Sequence, residues 1–396
     1  MDTDFKERAY QIVDEFCEDC VTEDNIKIWC ASRGVPHDVY EAFYESDLGA
    51  YCLLPQYGGW DGPFIARVWA AARLARRAGA ILPFQTDFNS GALLSTMQPL
   101  VNEETIDDLV ASNGQIVFSQ AFSEGNMSQE SADAGTNVSK IGGTIYLDGL
   151  KTYIANGQFI PETLVLTKDP VCGEEDGGMS LWLVPLDAEG VYTSPLNTVG
   201  QEMTAPASIG FDHVELDPSW HIQTNGKLKS ILNRQYALGR IFICASSYGL
   251  AQAAFDDALT RSITRNVRGD ILGKLSPVET MLAEMAVRLR AMETMIEKAA
   301  LSVSDGSSFD ELLLNCTLMK YYVPKAALEV ADIALQIFGG AGYTDHTRVG
   351  RIWRDCRGNQ LAQGADEMMI HTIAKQLVGD YATTMRDLWP SDAAAS

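Results

Sequence analysis

The residues with the clearest chemical potential lie in one stretch near the carboxyl end of the chain. An apolar helical pattern runs there into three glycines, Gly339, Gly340 and Gly342. Missing side chains let a backbone turn sharply or approach another group closely. Clustered backbone amides and helix ends also suit an anionic ligand. The pattern is typical of an anion-binding loop between two helices, and also of two ordinary helix ends in a bundle.

An arginine-rich segment and a further glycine follow this cluster. The segment reads R-I-W-R-D at 351–355, and Gly364 leads into another helical pattern. We expect residues 351–355 to belong to the connection between the two helices, where their charges would face an anion.

Cysteine and histidine spacing gives no metal-binding pattern. Cys17 and Cys20 form one C-x-x-C pair without a second pair at zinc spacing, and the five histidines are scattered. A structural zinc ion needs four such ligands. Neither an H-E-x-x-H helix, a Walker loop nor a G-x-G-x-x-G turn occurs. The sequence therefore predicts no metal.

Three segments resemble, in order, the carboxyl-terminal signature of the acyl-CoA dehydrogenase family. They read Q-I-F-G-G-A-G-Y at 336–343, R-I-W-R-D at 351–355 and Q-G-A-D-E-M at 363–368. Members of this family are flavoproteins that desaturate or reduce CoA thioesters next to the carbonyl. Within it, the chain looks most like the crotonobetainyl-CoA reductase branch, which has G-G-S-D-E-M in the last segment. The resemblance implies FAD, an acyl-CoA or enoyl-CoA substrate, and an electron-transfer flavoprotein as redox partner.

Two segments in the middle of the chain resemble the strands that contact the flavin ring in this family. In the first, Phe122 offers a backbone amide and Ser123 a hydroxyl, and Ser128 falls in a degenerate form of the loop that follows. In the second, Tyr153 takes the aromatic position that covers one face of the ring, although a tyrosine taken alone is more often a core residue. Ala155 stands where a threonine hydroxyl usually reaches the flavin N5, so one hydrogen bond that tunes hydride acceptance is expected to be absent.

Further positions match contacts to the adenosine and pyrophosphate of FAD. Arg265 matches the arginine of an R-x-x-F-G segment, with Arg268 in place of its aromatic residue. Gln336, Gly339 and Gly340 match contacts that a neighbouring subunit makes in the family. The resemblance therefore implies a homotetramer whose assembly supports cofactor binding. An arginine such as Arg265, taken alone, is more often a solvated charge on a helix.

The catalytic glutamate of the family is missing from both positions where it occurs. Gln363 stands at one position, and Gly239, just before Arg240, stands at the other. Removing the α-proton of a thioester requires a positioned carboxylate, and neither an amide nor a glycine can accept that proton. Asp366 and Glu367 would share a helix face with Gln363, but acids also favour the first turn of a helix. We expect Arg240 to line the pocket and orient the substrate or a nearby acid.

Three interpretations account for the missing base. The first, which we favour, is a reductase of a small or polar enoyl-CoA, in which another acid or water protonates the α-carbon. The second is a catalytically silent structural subunit in a hetero-oligomer with an active paralogue. The third is an oxidase or monooxygenase on the same fold.

The elements that must position these residues form three successive regions. Residues 1–113 show helical spacing, 114–227 show period-two runs separated by turn residues, and 228–396 show long amphipathic helices. We expect an α+β fold with an N-terminal helical domain, a middle antiparallel β domain and a C-terminal four-helix bundle, the layout of the family. Pro324 is expected to kink or break the third helix of the bundle.

Charge and hydropathy restrict the partners and the location. The formal net charge is −23 and the pI is near 4.5, which argues against nucleic-acid binding, because phosphate binding needs a basic face. The same charge opposes anionic CoA, so local cations must offset it. The acidic start lacks an apolar signal region and no window reaches membrane-spanning length. These observations predict a cytoplasmic protein without membrane insertion.

Overall fold

The computed structural model describes residues 3–111, 114–125 and 135–388. The chain divides into two compact units, Met1–Leu238 and Gly239–Ser396. Helices come first, then strands, then helices again. This order confirms the α+β class predicted from the sequence.

Helices open the first unit. They are α1 (Thr3–Cys20), α2 (Glu23–Ser32), α3 (His37–Glu45), α4 (Phe64–Ala78), α5 (Phe84–Met97) and α6 (Glu103–Asp107). Helix α4 is rich in alanine, and its small side chains let α1 pack closely against it. Helix α5 is buried along most of its length. Both helices therefore form the interior of this region.

A buried carboxyl group lies inside these helices. Asp87 on α5 is fully buried, and the Tyr40 hydroxyl donates a hydrogen bond of 2.5 Å to its Oδ2 atom. Burial raises the pKa of Asp87 to about 7, although the hydrogen bond from Tyr40 opposes that rise.

The strands of the first unit form one mixed sheet in the described residues. They are β1 (Phe118–Ala121), β2 (Asn137–Ile141), β3 (Thr144–Ile154), β4 (Glu162–Lys168), β5 (Met179–Pro185), β6 (Val191–Pro195), β7 (Ala207–Glu215) and β8 (His221–Ile222). The strand order is β6-β7-β3-β2-β4-β5-β8, with β1 beside β4. Most pairs are antiparallel as predicted, but β1 and β2 each pair parallel with β4. The difference arises because β1 and β2 both join β4 without a hairpin connection, which would require antiparallel neighbours.

Long helices form the second unit. The elements from this part of the chain are α7 (Leu228–Thr264), β9 (Asn266–Val267), β10 (Asp270–Ile271), α8 (Ser276–Leu301), α9 (Phe309–Phe338), α10 (Val349–Asn359) and α11 (Asp366–Leu388). Helix α7 begins before the division between the units and continues beyond it. Helices α8, α10 and α11 all pack against α9, which is therefore the central helix.

Two sequence expectations for this region need correction. Helix α9 continues through Pro324, so the predicted break is wrong, whereas the predicted kink stays a prediction; the proline is buried, and packing on both sides supports the helix. Residues 351–355 lie in helix α10 and not in a connection. The helix forms because Arg351 and Asp355, one turn apart, are buried together with Ile352. Among the described residues, no helix combines the length and apolarity needed to cross a membrane.

Candidate active site

The two segments expected to contact the flavin ring lie side by side in the first unit. The backbone amide of Thr152 donates to the carbonyl oxygen of Ser123 at 3.0 Å. The Lys151 ammonium lies 3.5 Å from the carbonyl oxygen of Phe122. The end of β1 is therefore fixed against the end of β3. Ser128 lies outside the described residues.

Strand β3 ends in an irregular turn that carries the aromatic candidate. Its register against β7 shifts between Lys151 and Ile154, and Tyr153 there has a φ of 60°. A bulge of this kind changes the direction in which a side chain points. The Tyr153 side chain is 69% exposed, although large aromatic residues usually find cover. Strained backbone beside an uncovered ring is a feature of binding sites.

Ala155 is held between two left-handed residues in the same turn. Asn156 has a φ of 59°, and its buried side chain donates to the Thr86 hydroxyl on α5 at 2.6 Å. Its backbone amide donates to the carbonyl oxygen of Thr204 at 2.7 Å. These bonds fix the backbone of Ala155 relative to α5 while its side chain offers no hydroxyl.

A buried ion pair supports this strand end. The Lys151 ammonium and the Glu124 carboxylate lie 2.6 Å apart, and both side chains are largely buried. Burial would raise the pKa of Glu124, but bonds from Lys151 and from the backbone amides of Gly135 and Thr136 hold it below its usual range. Glu124 is therefore ionised and fully engaged, so it serves structure and not proton transfer.

In the second unit, Arg265 and Arg268 lie on a short hairpin. Strands β9 and β10 pair antiparallel, and Arg268 and Gly269 form the two-residue turn with φ values of 54° and 91°. Two positive φ values are typical of the turn that joins two hairpin strands directly. Both arginine side chains are exposed and available to an anionic ligand.

The three glycines of the 336–343 segment have different roles. Gly339 ends α9 with a φ of 62°. A side chain on Gly340 would meet no atom within 4 Å, so this glycine faces open space. A Cβ atom on Gly342 would lie 2.9 Å from the Cβ of Phe338 and 3.0 Å from the carbonyl oxygen of Leu335. Gly342 is therefore needed for packing, whereas Gly340 leaves room for another molecule.

Helix α7, which leads into the hairpin, contacts the residues on either side of this glycine segment. Arg261 lies on α7, four residues before Arg265. Its guanidinium lies 5.3 Å from the ring centre of Phe338. Arg348 and Asp257 join the same two regions by a bidentate ion pair at 2.8 and 3.0 Å. The hairpin and the glycine segment therefore follow elements that pack together within the second unit.

Two buried cations lie beside the segment at 360–364, and one of them bonds its backbone. Arg240 is buried on α7, and its Nη1 donates to the Thr317 hydroxyl on α9 at 3.2 Å. A Cβ atom on Gly364 would lie 3.9 Å from Nη2 of Arg240. The Lys320 ammonium donates to the carbonyl oxygen of Gln360 at 3.2 Å. Arg240 therefore adjoins the segment that carries Gln363, as expected if both line one pocket.

Lys320 is a candidate that sequence reasoning missed. Its side chain is 0% exposed, and burial lowers the pKa of its ammonium below the usual value. The only signal in the sequence is a lysine within the apolar face of α9, four residues before Pro324. A lysine there is unusual because an ammonium group is costly to bury.

Asp366 and Glu367, the acidic candidates, lie in a helix, whereas Gln363 lies outside it. Gln363 has a φ of 56° and precedes α11, which begins at Asp366. The expectation that Gln363 shares a helix face with these acids is therefore wrong. Asp366 lies 3.4 Å from the Lys325 ammonium, and Glu367 is exposed. This arrangement is that of an acidic first turn, which the helix dipole favours.

FAD, which the resemblance implies, fits the residues of both units considered separately. The first unit offers the uncovered ring of Tyr153 beside the Ser123 segment, which suits an aromatic ring system. The second offers exposed arginines on the hairpin and open space at Gly340, and exposed guanidinium groups suit a pyrophosphate. No group of three or more metal-ligating side chains occurs in the part of the chain that the structure describes.

Comparisons with known proteins agree on one family. Residues 229–378 match the model of the acyl-CoA dehydrogenase C-terminal domain. The chain is 28% identical over 359 residues to the probable acyl-CoA dehydrogenase YdiO of Escherichia coli, covering 89% of this chain and 91% of that protein. Among solved structures, the acyl-CoA dehydrogenase of Slackia heliotrinireducens is 32% identical, with a TM-score of 0.83 and coverage of 96% and 98%. The butyryl-CoA dehydrogenase of Megasphaera elsdenii has the same TM-score at 20% identity, covering 95% of this chain and 98% of its own, and shows the shared fold.

The resemblance seen in the sequence, the similarity to the Slackia protein over nearly the whole chain and the agreement in fold lead to one conclusion. The chain belongs to the acyl-CoA dehydrogenase family.

Proposed function

We propose that the chain is an FAD-dependent reductase of the α,β double bond of an enoyl-CoA thioester. When bound, FAD supplies the hydride that reaches the β-carbon. Reduction needs a proton donor at the α-carbon and stabilisation of the negative charge that develops at the thioester, but no carboxylate base.

The observation that carries this proposal is the chemistry around Gln363. A glutamine stands where the family has its base; buried Lys320 donates to the backbone of the same segment, and buried Arg240 adjoins it. Buried positive charge stabilises a developing negative charge strongly, because the surroundings screen it little. Arg240 would orient the thioester, and Lys320 would fix the segment through the carbonyl oxygen of Gln360. The α-proton would come from water or another acid.

The proposal includes the partners that the family implies. The exposed residues Gln336, Gly339 and Gly340 would complete the FAD site of a neighbouring copy in a homotetramer. An electron-transfer flavoprotein would deliver the electrons. If the tetramer is needed to retain FAD, the FAD content per chain should fall when the protein is diluted.

Anaerobic reoxidation tests the direction of the reaction. The purified protein is reduced with dithionite and mixed with crotonyl-CoA or longer enoyl-CoA thioesters, and flavin absorbance is followed. We expect reoxidation by at least one thioester and slow reoxidation by oxygen. Rapid oxygen consumption without reoxidation by thioesters would indicate an oxidase or monooxygenase instead.

Restoring the carboxylate tests the position of Gln363. We expect Gln363→Glu to raise oxidation of saturated acyl-CoA thioesters by about tenfold or more, because general base catalysis typically contributes at least that factor. Gln360→Glu serves as the control, since it adds the same charge three residues earlier. If neither variant gains activity, Gln363 does not lie over the α-carbon of the substrate.

A silent structural subunit is the second candidate, since both base positions lack a carboxylate. Under that function the protein would be purified without FAD when expressed alone and would retain FAD or activity only with a paralogue. A yellow protein that turns over a thioester by itself would exclude it.

A further inference from the structure

The buried ion pair of Glu124 and Lys151 adjoins the two segments of the first unit that are expected to contact the flavin ring. The Lys151 ammonium lies 2.6 Å from Glu124 Oε1 and 3.5 Å from the carbonyl oxygen of Phe122. Ser123 stands between Phe122 and Glu124 in the chain, and its carbonyl oxygen accepts a hydrogen bond from the backbone amide of Thr152. Both charges therefore lie within two residues of an expected ring contact.

The two charges of this pair balance each other. Among the residues that the structure describes, Glu124 is the only carboxylate that bonds the Lys151 ammonium. The Glu124 carboxylate also accepts from the backbone amides of Gly135, at 2.6 Å, and Thr136, at 3.1 Å. These amides carry no net charge. Removal of either charged side chain would therefore leave a single buried charge of known sign.

Little water surrounds the pair. The side chain of Lys151 is 2% exposed and that of Glu124 is 9% exposed. Nearby, a Cβ atom on Gly149 would lie 2.5 Å from the Thr136 Cα, so β3 and the residues just before β2 are in close contact. A charge in such surroundings is screened little and acts over a long distance. An unbalanced charge here would therefore act on a flavin ring that contacts Ser123.

We propose that Glu124 lowers the reduction potential of bound FAD by neutralising the Lys151 ammonium. Positive charge close to a flavin favours the reduced form, because that form has gained electrons. A reductase needs the opposite, since its flavin must pass the hydride on to the substrate. Glu124 and Lys151 act through their charges and are not catalytic residues. The inference rests on the proposed function, since it concerns the FAD that such a reductase holds.

A double-mutant cycle on the flavin potential tests the inference on the holoenzyme. Glu124→Gln, Lys151→Met and the variant with both changes are titrated with dithionite beside an indicator dye of known potential. Burial lowers the pKa of the Lys151 ammonium, so the titrations are run at about pH 6, where it keeps its proton.

The two single variants should shift the potential in opposite directions. We expect Glu124→Gln to favour reduced FAD about tenfold, which raises the two-electron potential by about 30 mV. Lys151→Met should favour oxidised FAD by a similar factor. The double variant should return close to the unaltered protein, because its site is again neutral. A purely structural pair would instead weaken folding or FAD binding in both single variants without opposite shifts.

A second ion pair of the first unit provides the control. Asp14 and Arg73 join α1 and α4 at 2.6 Å, away from the segments expected to contact the ring. Asp14→Asn and Arg73→Met should leave the flavin potential unchanged.

Shifts of the same sign, or no shift, in the two single variants would overturn the inference. If one of them does not fold, the other is compared with the double variant, and the sign of that difference decides. A clear shift in the neutral double variant would overturn the inference even if neither single variant folds. A protein that binds no FAD would refute the proposed function, whereas bound FAD whose potential does not follow the charge would refute the inference alone.

Discussion

Two glycine-containing segments of the second unit differ in what holds them. The 360–364 segment is fixed from inside by Lys320 and adjoins Arg240, both buried. The 339–343 segment is packed only at the buried Gly342; Gly340 faces open space and the Tyr343 side chain is 87% exposed. The first resembles a preorganised reaction site, because its charges are held where water is excluded. The second resembles a surface that another molecule completes.

Removing Arg240, the cation beside the 360–364 segment, should have the largest effect on activity. We expect Arg240→Leu to lower kcat/KM for the thioester on the order of 100-fold, as does the loss of one preorganised electrostatic group. FAD content should stay the same, since Arg240 is not among the expected FAD contacts. Arg290→Leu, at an exposed arginine of α8, is the control. Steady-state kinetics measures kcat/KM, and flavin absorbance measures the FAD content. A loss of FAD in Arg240→Leu would contradict the prediction and place Arg240 in the cofactor site.

Alanine substitutions at Gly340 and Gly342 should affect stability differently, because only Gly342 is closely packed. We expect Gly342→Ala to lower the free energy of unfolding by about 2 kcal/mol, because the added Cβ overpacks a tight contact with Phe338 and Leu335. Gly340→Ala should change it little, since its Cβ meets no atom. Urea denaturation followed by circular dichroism measures both. Equal losses would show that the segment is held as tightly as 360–364.

A larger side chain at the open glycine should affect assembly and not folding. We expect Gly340→Leu, and separately Arg265→Glu, to reduce FAD content about tenfold at fixed protein concentration and to shift the oligomer toward smaller species. Size-exclusion chromatography with flavin absorbance provides the measurement. Unchanged FAD content in both variants would remove this surface from the cofactor site.

Replacing the buried lysine should alter stability least. We expect Lys320→Met to change the free energy of unfolding by no more than about 1 kcal/mol, because relief from burying a charge offsets the lost hydrogen bond. Thermal unfolding at several pH values checks this expectation. A loss of several kcal/mol would mean that the bond to Gln360 is the main support of the segment.

Elements with strong local periodicity could be predicted from the sequence. The sequence predicts helices within residues 1–113, strands within 114–227 and long helices within 228–396, and α1 to α6, β1 to β8 and α7 to α11 fall within those ranges. Their patterns are long and regular, so local preference and tertiary structure agree. Helix α10 was missed because its arginines suggested an exposed connection, although Arg351 is buried in the structure.

The candidate site was only partly predictable for a different reason. The segments of Ser123 and Tyr153 could be placed through motif resemblance, and the structure sets them side by side. The contacts of Lys320 with Gln360, and of Lys151 with Glu124, join residues far apart in the chain. A single charged residue in a helix or strand does not indicate its partner, so no local pattern could reveal these pairs.

The carboxyl group of Asp87 links folding of the N-terminal helices to acidity. Its pKa is about 7 when folded, against an ordinary value of 3.8, so the folded chain holds a proton that the unfolded chain releases between these two pH values. This stabilising contribution is complete below pH 3.8 and is lost as pH rises through about 7. Near neutrality, mild acidification therefore stabilises the folded N-terminal helices, because Asp87 takes up a proton. An asparagine in place of Asp87 would remove this dependence of unfolding on pH.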